Sequence, residues 1–299
     1  MRAAAALALI SCALAAGCGS SSNGEEEPQP GSLEALWRAP GEDVAYIPGT
    51  KDFGPGRVRV SFLVVDGEGR VVTRPTARVW IARALEAEPF AETVARAEPI
   101  GVENSHGADA DEIFVAHLDL EEPGKYWVLA EPVGGRRIQA LGNVVVAERP
   151  QAPAVGDRAI PSRTPTVRST SGDVAALTTR KPPDRELLET SVAEALAAKE
   201  PFVVTFATPA YCQTRTCGPV VDVVDEVRRR HDGSGIRFIH VEIYEGNDPA
   251  AGTNEWVKEW RLPSEPFTFL VGADGIVKER FEGTVSVREL DAAVGEHLR

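Results

Sequence analysis

No long basic block occurs anywhere in the 299 residues, and acidic side chains outnumber basic ones by 45 to 32, giving a net charge of −13. That balance argues against nucleic acid or an acidic membrane surface as the main partner. The apolar run from Ala3 to Ala16 is too short to span a bilayer. Cysteine is scarce: Cys12, Cys18, Cys212 and Cys217 are all the chain has. Between residues 32 and 148 there is no metal-binding or nucleophile motif. What is present is an ordinary apolar fraction of 43% and enough length for two domains.

The N-terminus supplies an address. Met1-Arg2 is a minimal positive region, followed by the apolar run and then Leu14-Ala-Ala-Gly-Cys18, with Gly-Ser-Ser-Ser-Asn after it. This resembles a bacterial lipoprotein signal, in which small residues precede a cysteine that becomes the lipidated first residue of the mature chain. Leu9-Ile-Ser-Cys12 fits the same pattern but leaves a very short apolar region, so Cys18 is the expected lipidation site. An ordinary secretory signal cut nearby is the alternative, and either one places the mature protein outside the cytoplasm. Residues 1–18 are thus read as signal, and 19–31, rich in Ser, Glu and Pro, as a flexible tether. Only Cys212 and Cys217 then remain as thiols in an oxidising compartment, where a single close pair is either a structural disulfide or a redox couple.

From 32 to 148 the pattern is β. Val58, Val60, Phe62 and Val64 alternate with Arg57, Arg59, Ser61 and Leu63; Asp66-Gly-Glu-Gly69 is a turn with Arg70-Val-Val-Thr73 as the returning strand. Further strands are expected at 78–83, 112–120, 123–130 and 143–147. Short strands at this spacing predict an antiparallel sandwich, and Leu120-Glu-Glu-Pro-Gly-Lys-Tyr126 resembles a turn found in immunoglobulin-like and fibronectin-like domains. His106 and His117 stand apart and are expected to be structural or solvated. The stretch 149–183, punctuated by proline, is expected to be a linker partly ordered against one domain or the other.

The last unit, 184–299, reads α-β-α-β-α-β-β-α. Ser191 and Glu194, and again Ser286 and Glu289, stand in capping-box register ahead of helices. Phe202-Val-Val-Thr-Phe206 is a buried strand, and Val220, Val223, Val224 and Val227 recur at helical spacing. Both cysteines lie where that strand hands over to that helix, a place where helix-end amides and the dipole stabilise a thiolate.

Order and motif together resemble the thioredoxin superfamily over 184–299. Cys217-Gly218-Pro219 is similar to the Cys-Gly-Pro of its active site. Pro266, just before Phe-Thr-Phe-Leu-Val271, matches its cis-proline, and 267–276 resembles the hairpin that follows. The fold class implied is an immunoglobulin-like antiparallel sandwich followed by an α/β thioredoxin fold. Two positions depart from the family. Val220 stands where a thioredoxin has its second cysteine, leaving Cys212 as the partner, and Thr205 stands where many carry a buried aspartate.

The resemblance implies a membrane-tethered thiol–disulfide oxidoreductase. It would use Cys212 and Cys217, with Tyr211, Gly218, Pro219 and Pro266 on the substrate-binding face. Its partners would be protein thiols or disulfides of the cell envelope, and it would need no cofactor or resident metal. Three alternatives stay open. In the first, the pair is a permanent staple in an envelope binding protein. In the second, the Cys-x₄-Cys spacing belongs to a peroxiredoxin-like peroxidase, with Arg215 or Arg261 replacing the usual arginine. In the third, two thiolates and His240 hold Cu(I), although His240, in a strand expected to be central, is read as a hydrogen-bonded core histidine.

The signal reading makes one direct prediction. Mass spectrometry of the mature protein from the membrane fraction should find an acylated Cys18 at its N-terminus; an unmodified N-terminus at another residue would refute it.

Overall fold

A computed structural model describes residues 27–102, 110–211 and 220–299. Cys12, Cys18, His106, Cys212, Arg215, Cys217, Gly218 and Pro219 lie outside these described residues.

Seven strands form the first sheet: β1 (Val44–Pro48), β2 (Gly56–Asp66), β3 (Thr76–Ala82), β4 (Ala91–Pro99), β5 (Glu112–Leu120), β6 (Gly124–Pro132) and β7 (Ala140–Val146). They join in one continuous antiparallel ladder, in the order β1-β2-β5-β4-β3-β6-β7. Its ends nearly meet. Parallel bridges Glu42–Ile138 and Phe53–Val146 flank the approach of β1 to β7. Gly142 permits it, since a Cβ there would lie 2.3 Å from the Tyr46 ring. Inside, Tyr46, Phe62 and Phe114 stack with centroids 4.9 and 5.4 Å apart, among Val58, Val60 and Val64. A short helix α1 (Leu33–Trp37), capped by Ser32, buries Leu33 against Trp80 and Leu129 on the outer surface.

The second sheet holds β8 (Phe202–Phe206), β9 (Arg237–Val241), β10 (Phe267–Val271) and β11 (Val277–Glu282), in the order β11-β10-β8-β9. Helices α2 (Val192–Ala198), α3 (Val220–Arg230), α4 (Glu255–Glu259) and α5 (Val287–His297) accompany it. Both expected capping boxes form, Ser191 with Glu194 and Ser286 with Glu289. Strand alternation separates two cores. Phe202, Val204, Phe206, Phe267 and Phe269 pack with Trp260 and α2 on one face. Val203 and Leu270 pack on the other with the α3 valines and with Leu290 and Val294 of α5. Both faces being covered, the strands read as unbroken apolar runs rather than alternating ones.

The expected fold class is therefore corrected. In place of a two-sheet immunoglobulin-like sandwich, 44–146 forms a single, nearly closed seven-stranded sheet. In place of an α/β thioredoxin fold, the chain is mostly antiparallel β with few and short helices. Among the described strands only β8 and β9 pair in parallel. The reasons are physical. Period-two alternation marks a strand's buried face but not whether the sheet splits or curls shut. An apolar run such as Phe267-Thr-Phe-Leu-Val271 suits parallel and antiparallel neighbours equally. Arg70–Thr73 is also corrected: it makes a single bridge, Val71 to Val65, and the next full strand is Thr76–Ala82.

Residues 152–188 run along the second sheet. Ala159 N–H and Gly156 N–H donate to the carbonyls of Gly275 and Val277, both at 2.9 Å. Ala152 and Ala159 are buried in its core, and Val167, Leu177 and Leu188 form a small cluster of their own.

Charged contacts join the two sheets. Arg59 of β2 meets Glu289 of α5 at 2.8 Å with both side chains more than nine-tenths buried, and also donates to Thr284 O at 2.9 Å. Arg280 of β11 meets Asp52 at 2.7 Å, and Lys51 and Asp52 N–H donate to Glu282 at 2.9 and 2.7 Å. Glu98 of β4 accepts from Ser286 Oγ at 2.8 Å and pairs with Arg288. Removing one partner of a buried pair strands the other charge, at a cost of about 3 kcal/mol or more. Arg59→Met should lower unfolding free energy by about 3 kcal/mol in urea titrations, and adding Glu289→Gln should restore part of it. A single variant within about 0.5 kcal/mol of wild type would show that the pair does not tie the sheets.

Candidate functional site

The expected site lies at the exit of β8, and its described part is Ala207 to Tyr211. Antiparallel register pairs Phe206 with Phe267, which sets Pro266 across from Ala207 and Glu265 across from Thr208. The Glu265–Pro266 peptide is cis, as expected. On the other side, Ala207 N–H donates to Val241 O at 3.0 Å, bringing the end of β9 alongside. The ends of β8 and β9 and the start of β10 thus converge. Tyr211 is exposed, its ring edge-on to Tyr244 at 6.3 Å. In sequence the next residue is Cys212, and Val220 opens α3, an amphipathic helix of 11 residues. The structure thus brings Tyr211 and Pro266 to one place; Cys212, Cys217, Gly218 and Pro219 belong to the segment it does not describe.

Beneath this exit is a group of buried polar side chains. Thr205 and Thr268, fully buried and directly paired across β8 and β10, share a hydrogen bond of 3.0 Å. Thr205 thus pairs with a hydroxyl and brings no proton-exchanging group. His240 is buried, and its Nε2 lies 3.0 Å from Ala207 O, which can only accept, so the ring N–H donates. Burial is the main influence holding its proton affinity below the ordinary histidine range. This is the core histidine expected from the sequence. Among the described residues no cluster of three or more His, Cys, Asp or Glu could hold a metal ion. Arg261, weighed as a peroxidase arginine, follows α4, and its charge bears on Asp157.

Two carboxylates at this exit escaped the sequence reading. Glu242 is buried just past β9, where its Oε1 accepts from Thr179 N–H at 2.6 Å and from Thr179 Oγ1 at 2.8 Å. The same Thr179 oxygen accepts from Ala210 N–H at 3.0 Å. Glu242 Oε2 is buried with no hydrogen-bond partner among the described residues, as is Thr208 Oγ1. Glu265 lies between Tyr244, whose phenol is 3.4 Å from Oε1, and the Thr208 backbone, which also hydrogen-bonds to it. Burial, reinforced by the charge of Glu242, pushes the Glu265 carboxyl up to about 7, against the lowering effect of these hydrogen bonds. A signal for both acids was in the sequence. Glu242 interrupts the otherwise apolar Ile239-His-Val-Glu-Ile243, and Glu265 immediately precedes Pro266. A charge written into a buried strand calls for a partner or a purpose.

No protein-family model matches the chain, and no curated protein matches it.

The raised Glu265 carboxyl has a thermodynamic consequence. The unfolded chain loses this proton near 4.5 and the folded chain near 7. Across that window the folded state holds more protons, so stability falls as pH rises and the full penalty is present above it. Glu265→Gln should match wild type at pH 4.5 and exceed it by roughly 1–2 kcal/mol at pH 8, after allowing for solvent screening at this half-buried group. Urea midpoints at the two pH values test this; equal differences at both would show that Glu265 ionises normally.

Proposed function

We propose that the protein is an extracytoplasmic thiol–disulfide oxidoreductase, held at the membrane by a lipid on Cys18 and working through Cys212 and Cys217. One observation carries the reading. The segment bearing both cysteines runs from the exit of β8 to the start of α3, and that exit is lined with buried acids and an exposed aromatic side chain. Motif supports it as well: Cys217-Gly218-Pro219 is similar to the active-site motif of the thioredoxin superfamily. Placement supports it physically, because α3 has three turns of aligned peptide dipoles, and thiols near a helix N-terminus ionise more readily.

The chemistry is a pair of exchanges. A thiolate attacks one sulfur of a substrate disulfide, the S–S bond breaks, and one substrate thiol departs. The second cysteine then attacks the mixed disulfide, releasing the other substrate thiol and leaving Cys212–Cys217 oxidised. Two electrons pass to the substrate, and a dithiol donor must restore them for turnover. Cys212, which follows the exposed Tyr211, is assigned the attack and Cys217 the resolution. Tyr211, Gly218, Pro219 and Pro266 would form the face that receives an envelope protein's disulfide.

Reduction of insulin disulfides by dithiothreitol provides the test. Wild type should accelerate it, Cys212→Ser and Cys217→Ser should each abolish the acceleration, and the couple should have a potential above about −300 mV. A potential below that value with no acceleration would identify a structural bridge and a binding protein instead.

A further inference from the structure

Resting on the oxidoreductase reading, we infer that Glu265 is the proton store for thiol exchange at the β8 exit, with Glu242 as the positioning residue behind it. Wiring is the first ground. Each acid reaches the short stretch before Cys212 by its own route. Glu265 is hydrogen-bonded to the backbone of Thr208, and Glu242 reaches Ala210 N–H through the shared Thr179 hydroxyl oxygen. Tyr244 links the outer end of this group to Tyr211, its phenol on Glu265 and its ring against the Tyr211 ring. No lysine or arginine pairs with Glu265, and Arg180, the nearest cation to the group, is engaged with Asp222 at 2.7 Å and with Pro182 O at 3.0 Å.

A second ground is vacancy of the role elsewhere. Thr205, buried in the middle of β8, is occupied with Thr268 and cannot exchange a proton near neutrality. His240 donates to Ala207 O and is kept neutral by burial. Glu265 is only partly buried, so protons can pass between it and solvent, whereas Glu242 lies nine-tenths buried. The groups facing Glu265 are Glu242, Tyr244 and the Thr208 backbone, with His240 and Arg180 acting one step further back. Their sum leaves Glu265 able to hold or release a proton near neutral pH, the range in which general acid–base groups are most effective.

The step balances. An attacking thiol gives its proton to the Glu265 carboxylate as its sulfur electron pair forms the new S–S bond. The departing substrate sulfur keeps the electron pair of the broken bond and takes the proton from the Glu265 carboxylic acid. Resolution repeats the same transfer. The reduced protein and one substrate disulfide become the oxidised protein and two substrate thiols.

Alkylation of the reduced full chain by iodoacetamide, followed peptide by peptide in mass spectrometry from pH 5 to 9, tests the coupling without requiring turnover. Wild type should show two inflections in thiol reactivity, the lower one set by Glu265. Glu265→Gln should leave one inflection, raise alkylation at pH 6 about tenfold through loss of the neighbouring negative charge, and slow disulfide exchange at pH 7 by 10- to 100-fold, at the low end of what a positioned acid–base group contributes. Tyr244→Phe, which keeps the ring and removes the phenol donor, should move the lower inflection to higher pH. Profiles of both variants superimposed on wild type would overturn the assignment. Variants that shift the profile in a chain that reduces no disulfide would uphold the coupling and remove the oxidoreductase reading. Normal exchange untouched by either variant would do the reverse.

Discussion

A guanidinium withdrawn from water must meet a carboxylate, and Arg59 meets Glu289. That requirement organises the junction between the two sheets. Glu289 also closes the capping box with Ser286 at the start of α5, so one carboxylate satisfies the barrel's arginine and the helix's free N–H groups together. Burial alone would raise its pKa, yet Arg59 and the Ser286 hydrogen bonds outweigh burial and hold it below the ordinary glutamate range. α5 then packs its Leu290 and Val294 against the valines of α3. Register is thus passed from a charge on β2 to the helix that follows the cysteine segment. Arg280 with Asp52 and Glu282 with the Lys51 and Asp52 amides repeat the logic at the other end of the junction.

The acids at the β8 exit obey the opposite rule. Glu289 is buried and paired; Glu265 and Glu242 are buried to different degrees and have hydroxyl and amide donors but no cation. Hydrogen bonds from Thr179, Tyr244 and the Thr208 backbone compensate only in part. A stability-optimised chain would place a lysine beside Glu265 or an apolar residue in its stead. Keeping two acids near each other is how proteins push one carboxyl toward neutrality. Local cost of this kind concentrates where chemistry is done.

Much of the second sheet was legible because its signals are local. Ser191 with Glu194 and Ser286 with Glu289 announce two helix starts, and the valine spacing from 220 to 227 announces α3. The barrel was less so. β1 carries Tyr46 and little else to mark it, and β4, Ala91-Glu-Thr-Val-Ala-Arg-Ala-Glu-Pro99, owes its place to pairing with β3 and β5 rather than to apolar content. Closure depends on Gly142 giving way to Tyr46, a contact between residues almost a hundred apart. No period within either strand encodes it. The same holds at the site. Pro266 was visible as a motif, but Glu265 and Glu242 acquire meaning only when β9 and β10 flank β8.

Two kinds of buried charge therefore divide the molecule's labour. Where a carboxylate meets a guanidinium, both stay ionised throughout the neutral range, and the contact can fix geometry without responding to pH. Where a carboxylate meets hydroxyls, amides and another carboxylate, its proton is held weakly enough to be exchanged. The first arrangement lies at the junction, where rigidity is useful to both sheets. The second lies at the end of β8, immediately before the two cysteines, where a group that gives and takes protons has something to act upon. A junction built from the second kind would loosen as pH rose through neutrality, and a site built from the first would hold its protons too firmly to exchange them. The distribution found is the one that lets a rigid scaffold carry a titrating site.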